Sequence, residues 1–167
     1  MDGGGATCHE ARMPTLFRRV LVPYDFSAPA RRALRTAAGL AARTRGRLTV
    51  LHVLAPYPVT GLTPAEGLPY IAPEDLAVPA RERLENDVRK TLGRRATAVR
   101  CRVVVGDPAQ EIVVASRAAD SIVMATEGRT GLEHLLIGSV AEKVVRHAPR
   151  PVLTIRAGAR RRRGRRA

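Results

Sequence analysis

The sequence has few aromatic residues, almost no lysine and only two cysteines. Of its 167 residues, two are Phe, three are Tyr and none is Trp, so Val, Leu, Ile and Ala must fill the interior. That composition favours Val- and Ile-rich parallel strands covered by helices of Ala and Leu. A chain of this length is expected to form one folded domain, with no room for a second.

The scarcity of cysteine and of long apolar runs indicates in which cellular compartment the protein is expected. Cys8 and Cys101 lie far apart, which predicts neither a disulfide framework nor a metal site. No run approaches the roughly 18 consecutive apolar residues of a membrane span. The first fifteen residues lack the basic and apolar regions of a secretory signal. We therefore expect a cytoplasmic protein.

Acidic residues are also scarce, and the formal net charge is +14. All but two of the 29 basic residues are arginines. Residues 156–167 carry seven arginines and no acid, so half of the excess charge lies in this tail. We expect residues 158–167 to be disordered, and either to act as a solubilising end or to contact polyanions through Arg160 to Arg166.

Three common nucleotide and hydrolase motifs are missing. The chain has no G-x-x-x-x-G-K-[ST], no G-x-G-x-x-G after its first strand and no G-x-S-x-G. These absences argue against standard NTPase, dinucleotide-binding and serine hydrolase activities. A phosphoacceptor role for Asp25 is disfavoured too, because such sites need a cluster of acids to hold Mg²⁺.

Strand and helix patterns alternate along the chain. Short apolar runs predict strands at 18–24, 48–54, 97–106, 121–125 and 150–156. Between the second strand and the next helix, residues 55–78 form a Pro- and Gly-containing stretch without periodicity, which predicts a long irregular loop. Alternation of this kind is typical of a parallel sheet built from right-handed crossovers. Ligands bind such sheets outside the carboxyl ends of the strands.

Four helices are predicted from periodicity and capping signals. The first follows an N-cap at Ser27 and buries a small-residue stripe: Ala30, Ala33, Leu34, Ala37, Ala38 and Ala41. The second has Pro79 in its first turn, and its apolar residues Leu84, Val88 and Leu92 recur every fourth position along a polar, charged segment. The third runs from Pro108 to Ala119 after the N-cap Asp107, with Gln110 as capping partner. In the fourth, Ser139 and Glu142 are expected to form a capping box.

Two features at the carboxyl ends of the strands are candidates for ligand binding. Gly128, Gly131 and Gly138 punctuate a loop that leads to Ser139 at a helix N-terminus, where a phosphate is favoured. On pattern alone this segment is either an anion cradle or an ordinary connecting loop. Asp25 follows the first strand and either hydrogen-bonds a ribose or base edge, or forms an Asx-turn into the first helix.

The histidines do not indicate catalysis or metal binding. His52 lies within the second strand, where a hydrogen-bonded core histidine is the expected role. His134 and His147 have no Cys or second His at ligand spacing. We assign no catalytic residue and no metal ligand.

Three segments resemble the universal stress protein family: VLVPYDFS, LTVLHV and GRTGLEHLLIGSVAEKVVRHAPRPVLTIR. The resemblance covers Phe17 to Arg156, and the spacing from Gly128 to Gly138 and Ser139 is its most specific part. It implies a single-domain, Rossmann-like α/β fold, an adenine nucleotide α-hydrolase-like sandwich with a five-stranded parallel sheet and helices on both faces. The expected organisation is a flexible leader at 1–15, the domain at 16–157 and the tail at 158–167.

The resemblance also implies a site for ATP, with Mg²⁺ as an accompanying ion. Nucleotide-binding members carry G-x-x-G-(nine residues)-G-[ST] on the phosphates and ribose. Asp25 would lie near the base and ribose, Pro23 and Tyr24 would flank the adenine, and Val53 would line the base pocket. The full set of cofactor-binding residues carried over is Pro23, Tyr24, Asp25, Val53, Met124, Ala125, Gly128, Gly138, Ser139 and Val140.

Two positions depart from the family pattern. Ala125 stands where the family has its first glycine, and a positive φ there would cost an alanine about 1 kcal/mol. Glu127 brings a carboxylate near the phosphates, which Arg129 could offset. The alternative function is therefore a family member without nucleotide binding that acts as a dimeric interaction protein.

The resemblance implies a regulatory stress-response protein that forms a homodimer through its last strand, Pro151 to Ile155. Any ATP hydrolysis should be slow, because no obvious general base accompanies the glycine loop. Glu127 is the only local carboxylate that could orient a water molecule.

Overall fold

The computed structural model describes residues 15–55, 76–126 and 137–156. These residues form five strands: β1 (Arg19–Pro23), β2 (Arg47–Leu54), β3 (Val99–Val105), β4 (Ser121–Ala125) and β5 (Val152–Ile155). The helices are α1 (Ala28–Arg43), α2 (Ala77–Leu92), α3 (Pro108–Ser116) and α4 (Ser139–His147), with short 3-10 turns at Thr15–Phe17 and Gly93–Ala98. The predicted alternation of strands and helices is confirmed.

The strands form one parallel sheet in the order β3-β2-β1-β4-β5. Helices α1 and α2 pack with Val20, Val22 and Val50 on one face. The other face buries Leu21, Ile122 and their neighbours against α3 and α4. Both faces of the central strands are therefore covered, which explains why they are almost continuously apolar.

Helix α1 follows its sequence signals closely. The Ser27 side chain caps it by accepting a hydrogen bond from the Ala30 N–H at 3.1 Å, and a proline lies in its first turn. All six residues of the predicted small-residue stripe are buried. Small side chains let the helix lie close to the sheet, where it covers β1 and β4.

The predicted capping box at Ser139 is wrong. Gly138 is the N-cap of α4, and Ser139 is the first helical residue. The carboxylate of Glu142 pairs with Arg146 at 3.0 Å, one turn along the exposed face, and the helix start has no side-chain cap. The sequence pattern placed the N-cap one residue too late, because glycine can also serve as an N-cap.

Some other boundaries moved by a few residues. Helix α3 ends at Ser116, not Ala119, although Asp107 caps it as predicted by accepting from the Gln110 N–H at 2.9 Å. The second helix starts at Ala77, two residues before Pro79, and buries Leu84 and Val88. Helix ends fray, so such differences are ordinary.

Several predictions fall on residues outside the described ranges. They include the leader, the arginine-rich tail, most of the stretch 55–78, and the loop residues Glu127, Gly128, Arg129, Gly131 and His134. Within the described ranges, no helix combines the length and apolar character needed to cross a membrane.

Candidate functional site

The central strands separate at one edge of the sheet. β1 pairs with β2 over five residues, from Arg19 to Pro23, but with β4 only at Val20 and Leu21. Beyond these two pairs, β1 and β4 do not pair with each other toward their carboxyl ends. The crossovers reverse direction between these two strands. This position is the topological switch point, where sheets of this kind form their ligand-binding crevice.

Asp25 forms the β1 side of this crevice. Its Oδ1 accepts a hydrogen bond from the Ser27 N–H at 3.0 Å, so the predicted Asx-turn into α1 is present. Its Oδ2 has no hydrogen-bond partner among the described residues, and the residue is half-buried. The turn therefore fixes the carboxylate while leaving one oxygen for a ligand.

The start of α4 forms the opposite side. The Gly138 N–H donates to the Thr126 carbonyl at 2.6 Å, which holds the helix start against the end of β4. A Cβ at position 138 would lie 3.1 Å from that carbonyl oxygen, so this close approach favours glycine. Side chains cap α1 and α3, whereas no described side chain caps α4. The first-turn N–H groups of α4 therefore have no side-chain partner among the described residues.

Thr126 is a residue that sequence reasoning missed. It directly follows β4, is 3% exposed, and its Oγ1 is buried without a hydrogen-bond partner in the described structure. A buried hydroxyl without a partner costs free energy and calls for an explanation. A ligand oxygen in the crevice would supply that partner. The only sequence signal was its position just before the glycine loop.

Four of the predicted site residues share one face of the sheet. Val53, Met124 and Val140 pack in the cluster beneath α3 and α4, and Pro23 lies on the same face by strand alternation. Asp25 and Gly138 lie beside the carboxyl ends of β1 and β4, the same two strands that carry Pro23 and Met124. Ser139 is exposed in the first turn of α4. Gly128 lies outside the described residues.

Ala125 is the last residue of β4 and pairs with Ile155. Its φ is not positive: the non-glycine residues with positive φ in the described ranges are Phe26 and Arg45. The expected strain of an alanine at this position is therefore absent. The departure from the family pattern costs no backbone energy here.

Tyr24 points away from the crevice. It is 3% exposed in the cluster beneath α1 and α2, and its hydroxyl donates to Asp87 Oδ2 at 2.5 Å. Asp87 also binds the Arg31 guanidinium at 3.0 and 3.2 Å. The Tyr24 carbonyl accepts from His52 Nδ1 at 2.7 Å, and its N–H donates to the Leu51 carbonyl. Tyr24 thus anchors the backbone that carries Asp25.

This anchor shifts two pKa values. Burial raises the pKa of Tyr24, and the hydrogen bond to Asp87 adds to the rise, to about 12. Burial also acts to raise the pKa of Asp87, but the Tyr24 hydroxyl and Arg31 outweigh it, so the pKa lies below its ordinary value. The carboxylate is therefore ionised at neutral pH and ties α1 and α2 to the end of β1.

We expect the Tyr24 phenol to ionise near pH 12 in the folded protein. A folded-state pKa above the ordinary value of 10.0 means that its contribution to stability is complete below pH 10 and is lost as pH rises toward 12. Ultraviolet titration should show this late step, and Tyr24→Phe should remove it and flatten the alkaline loss of stability. An unchanged late step in Tyr24→Phe would assign it to another tyrosine.

Phe26 completes the turn in a left-handed conformation, with φ of 65°. Its ring packs edge-on against His52, with centroids 4.7 Å apart, and the Arg83 guanidinium lies 4.4 Å above it. A groove of about 440 Å³ opens beyond this ring between α1 and α2. These contacts hold a backbone conformation that a bulky residue rarely adopts.

Sequence comparison identifies relatives of the whole described region. The model of the universal stress protein family matches residues 16–156. A universal stress protein of Methanocaldococcus jannaschii is 34% identical over 143 residues, which cover 84% of this chain and 83% of the relative.

Solved structures give the same result. A universal stress protein UspA from Lactobacillus plantarum superimposes with a TM-score of 0.67 at 26% identity, covering 84% of this chain and 98% of that chain. A universal stress protein from Archaeoglobus fulgidus, solved in complex with dAMP, gives 0.58 at 26% identity, with coverage of 84% and 98%. The family model spans the described region and the solved structures share its fold, so the chain belongs to the universal stress protein family.

Proposed function

We propose that this protein binds an adenine nucleotide, with ATP as the expected ligand, in the crevice between β1 and β4. The observation that carries the proposal is that, among the described residues, the start of α4 has no side-chain cap and the nearby buried Thr126 hydroxyl has no hydrogen-bond partner. Open N–H groups at a helix N-terminus attract phosphate through hydrogen bonds and the helix dipole. The Archaeoglobus relative in complex with dAMP supports an adenine nucleotide as the ligand class.

The crevice residues divide into a polar and an apolar group. The phosphates would lie against the backbone at Gly138 and Ser139, within reach of the Thr126 hydroxyl. Asp25 Oδ2 would accept a hydrogen bond from a ribose hydroxyl. The base would contact the apolar surface formed by Pro23, Val53, Met124 and Val140. We further propose that Tyr24 contributes by positioning Asp25, since its ring lies on the other face of the sheet.

The proposed role is regulatory, with slow ATP hydrolysis at most. Asp25 is the only carboxylate among the described crevice residues, and its Asx-turn places it on the side opposite the proposed phosphate position. It is therefore poorly placed to activate water for attack on a phosphate. Mg²⁺, where present, would be held mainly by the nucleotide phosphates, as is common for this ion.

We also propose a homodimer formed through β5. This strand ends the sheet and has one paired neighbour, β4, and Leu153 is 37% exposed on it. An open edge with an exposed apolar side chain is suited to pairing with a second copy. Light scattering tests this: a mass of 18.1 kDa for the full chain in solution would overturn it.

The cytoplasmic location remains a prediction.

Calorimetric titration with ATP and Mg²⁺ tests the nucleotide proposal. We expect a dissociation constant of micromolar order. Thr126→Val keeps the side-chain shape but removes the hydroxyl, and should weaken binding by up to about tenfold because one hydrogen bond is lost. The same variant should be at least as stable as the unmodified protein, since it removes an unpaired buried group.

Lower ATP affinity with equal or higher stability would distinguish the loss of a ligand contact from damage to the fold. A Thr126→Val variant that loses both affinity and stability would assign the hydroxyl a structural role. Absence of binding by ATP, ADP and AMP to the folded protein would overturn the proposal, and would favour a nucleotide-free interaction protein.

A further inference from the structure

The edge of the sheet opposite the crevice is strongly basic. Parallel strands all begin at one edge, and the register aligns Arg19 with Arg47, Leu48 with Val99, and Ile122 with Val152. The segments leading into the strands are residues 15–19, 43–47, 93–100, 117–121 and 146–152. They contain eleven arginines and one acid, Asp120. We call these arginines the arginine rim: Arg18, Arg19, Arg43, Arg45, Arg47, Arg94, Arg95, Arg100, Arg117, Arg146 and Arg150.

Every residue of the arginine rim is exposed. The described segments that follow the strands, at the crevice edge, hold Asp25, Asp107 and Arg156 instead. Among the described residues, the positive charge is therefore concentrated at the edge of the sheet where the strands begin.

Hydrogen bonds between neighbouring segments hold the arginine rim together. The Arg47 N–H donates to the Arg18 carbonyl at 2.6 Å, and the Asp120 N–H donates to the Arg19 carbonyl at 2.7 Å. The Thr44 hydroxyl donates to the Phe17 carbonyl at 2.8 Å. The backbone that carries the arginines is a fixed platform, so the spacing between their attachment points is fixed too.

Local structural roles account for part of the arginine rim. Arg19 binds Asp120 at 2.7 Å, and Arg146 binds Glu142 at 3.0 Å. Arg150 donates to the Arg117 carbonyl at the end of α3. Arg43 lies in the last turn of α1, where a cation offsets the helix dipole.

Six members of the arginine rim have no such role. No ion pair with another described residue is formed by Arg18, Arg45, Arg47, Arg95, Arg100 or Arg117. Concentrating unneutralised guanidinium groups on one surface costs electrostatic self-repulsion. A polyanionic partner would remove that cost.

The chemistry of the arginine rim favours a phosphate backbone as the partner. Guanidinium groups bind phosphate oxygens in a bidentate manner, which lysine cannot do. Among the large apolar residues exposed in the described structure, Leu16 is the only one in these segments. A protein interface needs an apolar or aromatic centre, and membrane insertion needs an apolar face. Neither is present among the described residues here.

The dimensions agree with a nucleic-acid partner. Five strands span about 20 Å across the sheet, and a nucleic-acid duplex carries about twelve phosphates over that length. We propose that the arginine rim binds the phosphodiester backbone of nucleic acid without sequence preference, at the end of the molecule opposite the crevice. Contacts of this kind position a protein on a duplex and carry no base specificity.

The test is binding of the full chain to short fluorescent duplexes of unrelated sequence, as DNA and as RNA, measured by anisotropy at several salt concentrations. A triple variant, Arg47→Gln, Arg100→Gln and Arg117→Gln, removes three charges from the arginine rim. The matched control, Arg35→Gln, Arg81→Gln and Arg102→Gln, removes three exposed charges from α1, α2 and β3. The control keeps the net charge equal, and both variants retain the tail at 158–167.

The rim variant should bind duplex at least about tenfold more weakly than the control variant, and the slope of log affinity against log salt should fall by about 3. Arg→Lys at the same three rim positions should restore the salt slope, because the charge returns, but only part of the affinity, because lysine lacks the bidentate contact. Equal affinity of the rim and control variants would overturn the proposal. The proposal would also be overturned if poly-glutamate competed with the labelled duplex as effectively as unlabelled duplex does. That result would show that phosphate is not required. The DNA and RNA arms decide which nucleic acid is preferred.

Discussion

Gly138→Asp should weaken ATP binding by more than about a hundredfold without unfolding the protein. Position 138 has φ of −68° and ψ of 152°, which suits an N-cap aspartate well, so the helix itself should tolerate the change. The new carboxylate would accept hydrogen bonds from the first-turn N–H groups that the phosphates need. It would also place a negative charge beside them, which at about 4 Å and an effective dielectric of 20 costs about 4 kcal/mol.

Gly138→Asn is the matched control. It has nearly the same shape as aspartate, meets the same Thr126 carbonyl, and is an equally good N-cap. The difference in ATP affinity between the two variants therefore isolates the charge. Titration calorimetry should show weakened but measurable binding for Asn and none for Asp. Equal affinities for Asp and Asn would mean that the phosphates do not lie at α4, and the proposed orientation of the nucleotide would be wrong.

Much of the fold could be predicted because several signals agreed at the same residues. At α1, the serine cap, the first-turn proline and the spacing of Ala30, Ala33 and Leu34 all indicated one helix, and the structure buries that stripe. At α3, Asp107 and Pro108 marked the start correctly. Such agreement between local propensity and hydrophobic pattern is what allows a sequence to specify a structure.

The features that sequence could not predict depend on contacts between distant segments. Asp87 lies on a polar helix face, and only the packing of α2 against α1 brings it to Tyr24 and Arg31. Family resemblance suggested that Tyr24 flanks the base, but strand alternation turns its side chain to the other face. Thr126 became a candidate only because its buried hydroxyl has no hydrogen-bond partner in the described parts of the chain.

The arginine rim also depends on contacts between distant segments, so the order of residues along the chain does not reveal it. Its members are scattered over five segments, from Arg18 to Arg150, and form no run longer than two residues in the sequence. The conspicuous run of arginines is the tail, which lies outside the described residues. Parallel topology gathers the scattered arginines because every strand begins at the same edge. Charge distribution in such a fold must therefore be assessed by edge of the sheet, since position along the chain does not reveal it.

Gly46→Ala should destabilise the protein by at least about 3 kcal/mol, through overpacking together with lost hydrogen bonds. A Cβ at this position would lie 2.2 Å from the Phe17 carbonyl oxygen and 2.9 Å from the Arg18 backbone. These are backbone atoms, so no side chain can move aside. The clash would separate β2 from the start of β1, where the Arg47 N–H binds the Arg18 carbonyl.

Gly39→Ala, in the same region, should have the opposite effect on the stability of the protein. Gly39 lies inside α1, and a Cβ there meets nothing within 4 Å. Alanine should stabilise the helix by about 0.5 to 1 kcal/mol, because it restricts the unfolded chain more than glycine does. Urea unfolding of the two variants should shift the midpoint in opposite directions. If Gly46→Ala were as stable as Gly39→Ala, the close contact of the α1–β2 turn with β1 would be absent in solution. The fixed platform inferred for the arginine rim would then lose its basis.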